Sequence, residues 1–189
     1  MVRLIHPLTC IPPDLQSLPR FRFVITLDAD TTLPPGEAHR LIGTLAHPLN
    51  RAQIDATSKR VVSGYTVLQP RTIIKPTSAN RSRFAHIFSG DTGLDLYTLA
   101  VSDVYQDLFG EGIYTGKGIY DIDAFEHSLH NCVPDNAILS HDLFEGIHGR
   151  AGLVTDIVVY ESYPVHYQDN VQRQHRWIRG DWQLLPWLF

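Results

Sequence analysis

The chain has little cysteine, no marked excess of either charge and no long apolar run. Two cysteines, Cys10 and Cys132, build no disulfide framework and no zinc spacing. A reducing compartment suits them. A formal net charge of -4 gives no global basic signal for nucleic acid. No apolar stretch reaches the length of a membrane span, and no secretory signal pattern opens the chain. The ten histidines are scattered. His127 and His130 could share a helix face, but H-E-x-x-H is missing, and the histidines read as surface or core residues rather than metal ligands. Internal repeats and low-complexity segments are also absent. What remains is 189 residues with 43% hydrophobic and 19% charged content, enough for one globular domain with a full core.

One stretch organises the rest. Phe21 to Asp30 is an apolar, β-branched and aromatic run, read as a buried strand that stops at two acids spaced by one residue. Residues i and i+2 of a strand share a side, so Asp28 and Asp30 can converge beyond its carboxyl end. In open α/β sheets ligands sit there. Two hard carboxylates suit Mg²⁺ or Mn²⁺, which usually keeps sites for substrate phosphates. The bland alternative is turn chemistry before Pro34-Pro35.

In chain order, residues 1–20 are a proline-broken, irregular lead-in, with a short strand at Val2 to Ile5. After the main strand, Gly36 to His47 has the 3.6 period of a helix, ended by Pro48. Asn50 to Arg60 reads as a polar loop. Val61 to Gln69 reads as a strand closed off by Pro70 and Pro76. Ala79 to Leu108 is the longest helix-compatible tract, broken near Ser89-Gly90-Asp91. Asp121 to Leu129 is a short helix capped by Asp121 or Asp123. Ser140 resembles the cap of another helix, in whose first turn Asp142 is favoured by the dipole. Ala151 to Tyr160 is a strand. A final helix starts at Asp169 or Asn170 and carries Arg173, Arg176 and Arg179 three apart, either a binding row or a solvated basic face. The apolar end from Trp182 to Phe189 wants a partner or a membrane surface.

Phe109 to Tyr120 is dense in glycine and includes Gly116 and Lys117. Glycines permit close backbone approach to a ligand, and Lys117 adds a cation. The segment is not a P-loop: Glu111 stands where that pattern needs glycine, and Gly118 where it needs Ser or Thr. A tight strand-turn segment is the alternative reading.

An acid pair for a metal, a glycine-rich segment with a cation, a lone acid at a helix start and arginines beside a tryptophan form the set that glycosyl transfer from a nucleotide sugar needs. Metal and arginines stabilise the leaving diphosphate. A carboxylate takes the proton of the attacking hydroxyl. The order Asp28-x-Asp30, His141-Asp142, Arg173-Gln-His-Arg176-Trp177 resembles processive family-two-like glycosyltransferases such as cellulose synthases. The flanking words TLDADTTLP (26–34), AHPLN (46–50), VSDVYQDLFGEGIYTGKGIYD (101–121), LSHDLFEG (139–146) and RQHRWIRGDWQLLPW (173–187) resemble the glycosyltransferase segment of bacterial cyclic β-1,2-glucan synthases.

The resemblance implies an α/β fold of glycosyltransferase type A, a Rossmann-like mixed sheet flanked by helices. It implies UDP-glucose as donor, Mg²⁺ or Mn²⁺ as cofactor, and inverting transfer to a β-1,2-glucan acceptor. Carried over motif by motif, Asp28 and Asp30 hold metal and donor diphosphate, with Arg173 and Arg176 also at the diphosphate. Asp142 is the general base, and Trp177 lies at the acceptor channel. His141 departs from the broader family, in which many members have an acid before the base. Lys117 and Gly116 are read separately as bordering the acceptor. Fewer than thirty residues precede Asp28, with no nucleotide-binding βαβ unit, which needs roughly 30 residues. The expectation is therefore an incomplete catalytic domain over 21–189, with an interfacial helix at about 170–189. It would be part of a larger synthase at the cytoplasmic face of the bacterial inner membrane.

Two other readings stay open. Asp28-Ala-Asp30-Thr-Thr32 with Gly90-Asp91 and Asp95, and Lys59 or Lys75 between, also fits a haloacid-dehalogenase-type phosphatase, with Asp28 as nucleophile and Asp30 as general acid/base. That reading needs Asp91 to follow a strand. The other is a non-catalytic remnant that binds saccharide or partner subunits.

Overall fold

The computed structural model describes residues 21–90, 103–130, 132 and 142–187. The expectations for Val2 to Ile5, Cys10, Asp91, Asp95, Ser140 and His141 lie outside these residues. The described elements form a mixed α/β fold, as expected.

Four strands make the main sheet, in the order β1 (Phe23–Thr26), β5 (Gly118–Asp121), β4 (Val67–Ile74), β6 (Ala151–Glu161). β5 is antiparallel to β1 and β4, while β4 and β6 are parallel. So β1, β4 and β6 point the same way, and their carboxyl ends share one edge of the sheet with the start of β5. A separate ribbon pairs β2 (Gln53–Ile54) with β3 (Val61–Ser63).

Alternation along the strands separates two faces. Ile25, Leu68, Ile119 and Ile157 meet Leu41 and Leu45 of α1 (Glu37–Ala46) in the main core. On the other face Val67, Ala151 and Tyr114 pack with Tyr120. That face is covered by α5 (Ile122–Leu129) and α6 (Asp142–Gly149). Gly146 of α6 lies so close to Tyr114 that a Cβ there would be 2.8 Å from the Tyr114 Cβ. Among the described residues the other helices are α2 (Pro76–Ala79), α3 (Arg83–Phe88), α4 (Val104–Phe109) and α7 (Tyr167–Trp182). Asp121 caps α5 by accepting from the Ala124 N–H at 3.3 Å, one of the two caps the sequence offered.

Several boundaries differ from the sequence reading. Val61 to Gln69 is not one strand: Gly64, in the left-handed region at φ 70°, separates β3 from β4. Pro70 does not close β4, which continues to Ile74. The pairing with β6 slips there, from Pro70 opposite Val154 to Arg71 opposite Val158. An irregularity of this kind is where a strand tolerates the missing proline N–H. The polar loop 50–60 contains β2. α3 ends at Phe88, at the break expected near Ser89-Gly90, and α4 starts at Val104. The last helix begins at Tyr167, earlier than Asp169, and stops at Trp182. A short 3-10 turn, Leu185–Trp187, follows it. Leu184 is buried against Phe144, while Trp182 and Leu185 are exposed. Among the described residues no helix is long and apolar enough to cross a membrane.

Gln69 connects this sheet to the glycine-rich segment. Its buried Oε1 accepts from Thr115 N at 3.0 Å and from Thr115 Oγ1 at 3.1 Å, and its Nε2 donates to the Pro70 carbonyl at 2.9 Å. Gln69→Leu leaves these groups without their partner, at a cost of about 2 kcal/mol. Denaturant titration of the two proteins measures the loss, and an unchanged midpoint would refute this account of how the Thr115 segment is held.

Candidate functional site at the strand ends

β1 ends at Thr26, and Leu27 carries the chain to Asp28 at the shared edge. The next turn closes with the Thr31 N–H donating to the Asp28 carbonyl at 3.0 Å. Thr32 and Tyr160 then exchange backbone hydrogen bonds of 2.7 and 3.0 Å, tying this loop to β6. β6 finishes on Glu161, which is buried. β5 starts at the same edge, so Lys117 just before it projects between the two acids. Its Nζ lies 2.6 Å from Glu161 Oε1 and 3.3 Å from Asp28 Oδ2. The Lys117 side chain is only 6% exposed, whereas Asp28 is 54% exposed. Burial alone would pull the ammonium down, but the facing charges of Glu161 and Asp28 hold it above the ordinary lysine value. Lys75 Nζ donates to the Asp30 carbonyl at 3.2 Å, and Thr31 Oγ1 donates to Glu161 at 3.4 Å.

Asp142 comes to the same place from the other face. It starts α6, and its carboxylate rests on Gly116. A Cβ at Gly116 would lie 2.8 Å from Asp142 Oδ2, and Gly116 has φ 88°. Both the left-handed backbone and the close approach require glycine. Asp28 and Asp142 thus flank the Gly116-Lys117 pair. Thr26 Oγ1 donates to the Gly116 carbonyl at 3.4 Å and contacts Tyr114 Oη at the same distance. Tyr114 is in turn hydrogen-bonded to Tyr120.

Glu145 stands one helical turn after Asp142. Burial, reinforced by the charge of Asp142, pushes its carboxyl up to about 7, against the opposing effect of a hydrogen bond from Tyr120. Tyr120 is itself pushed above the usual phenol range, first by burial and then by Glu145.

A cavity of about 590 Å³ adjoins the edge. Asp30, Tyr163, Asp169, Gln172, Arg173 and Arg176 contribute to its wall. Arg173 is held between two rings, 5.5 Å from the Tyr163 centroid and 4.8 Å from that of Trp177. Its Nη2 donates to Asn170 at 3.4 Å, and its Nε is buried without a hydrogen-bond partner.

The structure therefore unites Asp28, Gly116, Lys117 and Asp142, and places Asp30 with Arg173 and Arg176. Trp177 stands beside the cavity through its stacking on Arg173. Lys117, expected beside the acceptor, has its charge engaged by two carboxylates. Arg179 is not part of the cavity wall. Glu161 and Glu145 went unnoticed in the sequence. An acid closing the apolar run Ile157-Val158-Val159-Tyr160 was the available signal for the first. For the second nothing separated a buried acid from an ordinary first-turn acid. The phosphatase reading loses ground, because a helix, α3, occupies the stretch before Gly90 where that reading needs a strand.

The Glu145 shift has a pH signature. A carboxyl raised from 4.5 to about 7 favours the folded state fully below the lower value, and the contribution is lost as pH rises through the upper one. That amounts to about 3 kcal/mol. Glu145→Gln removes the dependence, so the variant gains stability relative to wild type between pH 5 and pH 8. Thermal melts across this range test it, and parallel curves would show that Glu145 ionises normally.

No family model matches the chain. It is 49% identical over 169 residues to a protein of Rhizobium meliloti (strain 1021) named cyclic beta-(1,2)-glucan synthase NdvB. The alignment takes in 89% of this chain and 6% of the relative, so the chain spans a small part of that protein's length. Over nearly all of its length, the chain is homologous to one segment of a bacterial cyclic β-(1,2)-glucan synthase.

Proposed function

We propose that this chain is part of the catalytic domain of an inverting glucosyltransferase that takes UDP-glucose as donor and extends a β-1,2-glucan. The supporting observation is the meeting of Asp28 and Asp142 on either side of Gly116-Lys117, next to a cavity walled by Asp30, Arg173 and Arg176. The relative's name supports glucan synthesis at the coarser level.

In this reading Asp142 is the general base. It takes the proton of the acceptor hydroxyl as that oxygen attacks the anomeric carbon, and the bond from that carbon to the diphosphate oxygen breaks. UDP carries away the negative charge. Arg176 and the ring-held guanidinium of Arg173 face this charge from the cavity wall, the planar cation that suits phosphate oxygens. Trp177 fixes Arg173 and offers a partly exposed ring toward the acceptor side.

The donor set fits a metal only in part. Asp28 and Asp30 are hard oxygen donors, but among the described residues no group of three or more His, Cys, Asp or Glu side chains could hold an ion. Two carboxylates fit Mg²⁺ or Mn²⁺ that completes its coordination with substrate phosphates. Once bound, such an ion would supply charge neutralisation at the leaving diphosphate. The chain spans a small part of its relative's length, and in this reading it belongs to a larger synthase at the inner membrane.

UDP release from UDP-glucose with Mn²⁺ tests the reading, comparing this chain with a longer polypeptide that extends it at both ends. Turnover is expected from the longer form. There Asp142→Asn lowers kcat by about a hundredfold or more while donor binding persists. An active Asp142→Asn enzyme would reduce Asp142 to a helix-start acid and overturn the mechanism.

A further inference from the structure

Asp169 and Gln172 belong to the cavity wall, and the mechanism above uses neither. With Arg173 and Arg176 they stand at i, i+3, i+4 and i+7 of α7, on one face of the helix. Asp169 is in the first turn, where the helix dipole favours an acid. It also lies four residues before Arg173, the spacing at which opposite charges usually pair. Here they do not pair. The Tyr163 and Trp177 rings hold the guanidinium, and its Nη2 donates to Asn170 instead. Among the described residues Asp169 has no ion-pair partner, and neither Asp169 nor Gln172 has a side-chain hydrogen bond. Both residues are exposed at the cavity.

A diphosphate does not account for them. Its oxygens only accept hydrogen bonds, as a carboxylate does, and an acid beside Arg173 and Arg176 opposes its charge. An acid with an amide suits a part of the ligand that is rich in donors and adjoins the phosphates. In a nucleotide sugar and in a glucan, the sugar hydroxyls are that part. A carboxylate accepts from two neighbouring hydroxyls in charge-assisted bonds, and the glutamine amide adds donors and an acceptor. Asp169 precedes Arg173 by about 6 Å along the helix axis, the scale of one sugar ring. We propose that Asp169 and Gln172 are specificity-determining residues that read the hydroxyls of a glucosyl unit lying beside the diphosphate. This rests on the glucosyltransferase reading above. The unit is the glucose of the donor or the terminal glucose of the acceptor, and the chemistry is the same for both.

Steady-state kinetics of the longer polypeptide separate the two sources, with UDP as the probe that lacks the sugar. Asp169→Ala, at an exposed position, should raise KM about tenfold. The rise falls on UDP-glucose if the pair reads the donor, and on a β-1,2-glucan oligosaccharide if it reads the acceptor. Inhibition by UDP should stay as strong or become stronger, because an acid has left the side of the arginines. Gln172→Ala should raise the same KM by a smaller factor. Unchanged KM for both substrates in an active Asp169→Ala enzyme would overturn the inference and leave glucosyl transfer standing, with Asp169 a helix-start acid only. UDP inhibition that weakens in parallel with KM would also overturn it, because the substitution then disturbs α7 and its arginines rather than a sugar contact. A wild-type longer polypeptide that neither binds UDP nor turns over UDP-glucose would remove the glucosyltransferase reading, and this inference with it.

Discussion

Lys117 sits under the sheet edge between Glu161, the last residue of β6, and Asp28, just past the end of β1. Taking an ammonium and a carboxylate out of water costs several kcal/mol, and their attraction recovers it only in good geometry. A purely stabilising role would be served as well by apolar side chains of similar volume. The outlay is understandable where it fixes a third group that must stay exposed. Asp28 is that group. Its position follows from Lys117, which follows from Glu161, whose own place is set by β6 and by the Thr32–Tyr160 backbone bridge.

The antiparallel course of β5 makes this arrangement possible. A strand parallel to β1 would deliver its carboxyl end to the edge. β5 instead delivers its start, and with it the turn Thr115-Gly116-Lys117. One residue of that turn serves each acid: Lys117 meets Asp28, and Gly116 makes room for Asp142. Gln69 grips Thr115 from the neighbouring strand. On the far face, α6 can bring Asp142 close only because Gly146 and Gly149 let the helix lie against Tyr114 and Thr66. The distance between the two proposed reactive groups is thus set by backbone contacts of β4, β5 and α6.

Local pattern made β1, α1, α5, β6 and most of α7 legible, because each carries its period and its stop signal within its own residues. The place of Asp28 and Asp30 just past the end of β1 was legible for the same reason. Pro70 misled, since the register slip that accommodates it belongs to β6, some eighty residues away. Lys117 was visible as a cation but not as an ion-pair partner, because Asp28 and Glu161 meet it only through the sheet. The arginine row was half right for a geometric reason. Three-residue spacing falls about 60° short of a full turn at each step. Arg173 and Arg176 therefore share the cavity, while Arg179 has rotated away from it.

Asp142 and Glu145 stand one turn apart at the start of α6. A base must be charged, yet a second full charge one turn away on a half-buried helix start would be costly. Burial pushes the Glu145 carboxyl up to about 7, so in slightly acidic solution the helix start avoids a second full charge there. The hydrogen bond that Tyr120 gives Glu145 works against this, and the Tyr114 and Thr26 contacts link that hydroxyl back to Gly116, on which Asp142 rests. The proposed base and its buried neighbour therefore belong to one polar chain closed through the glycine turn.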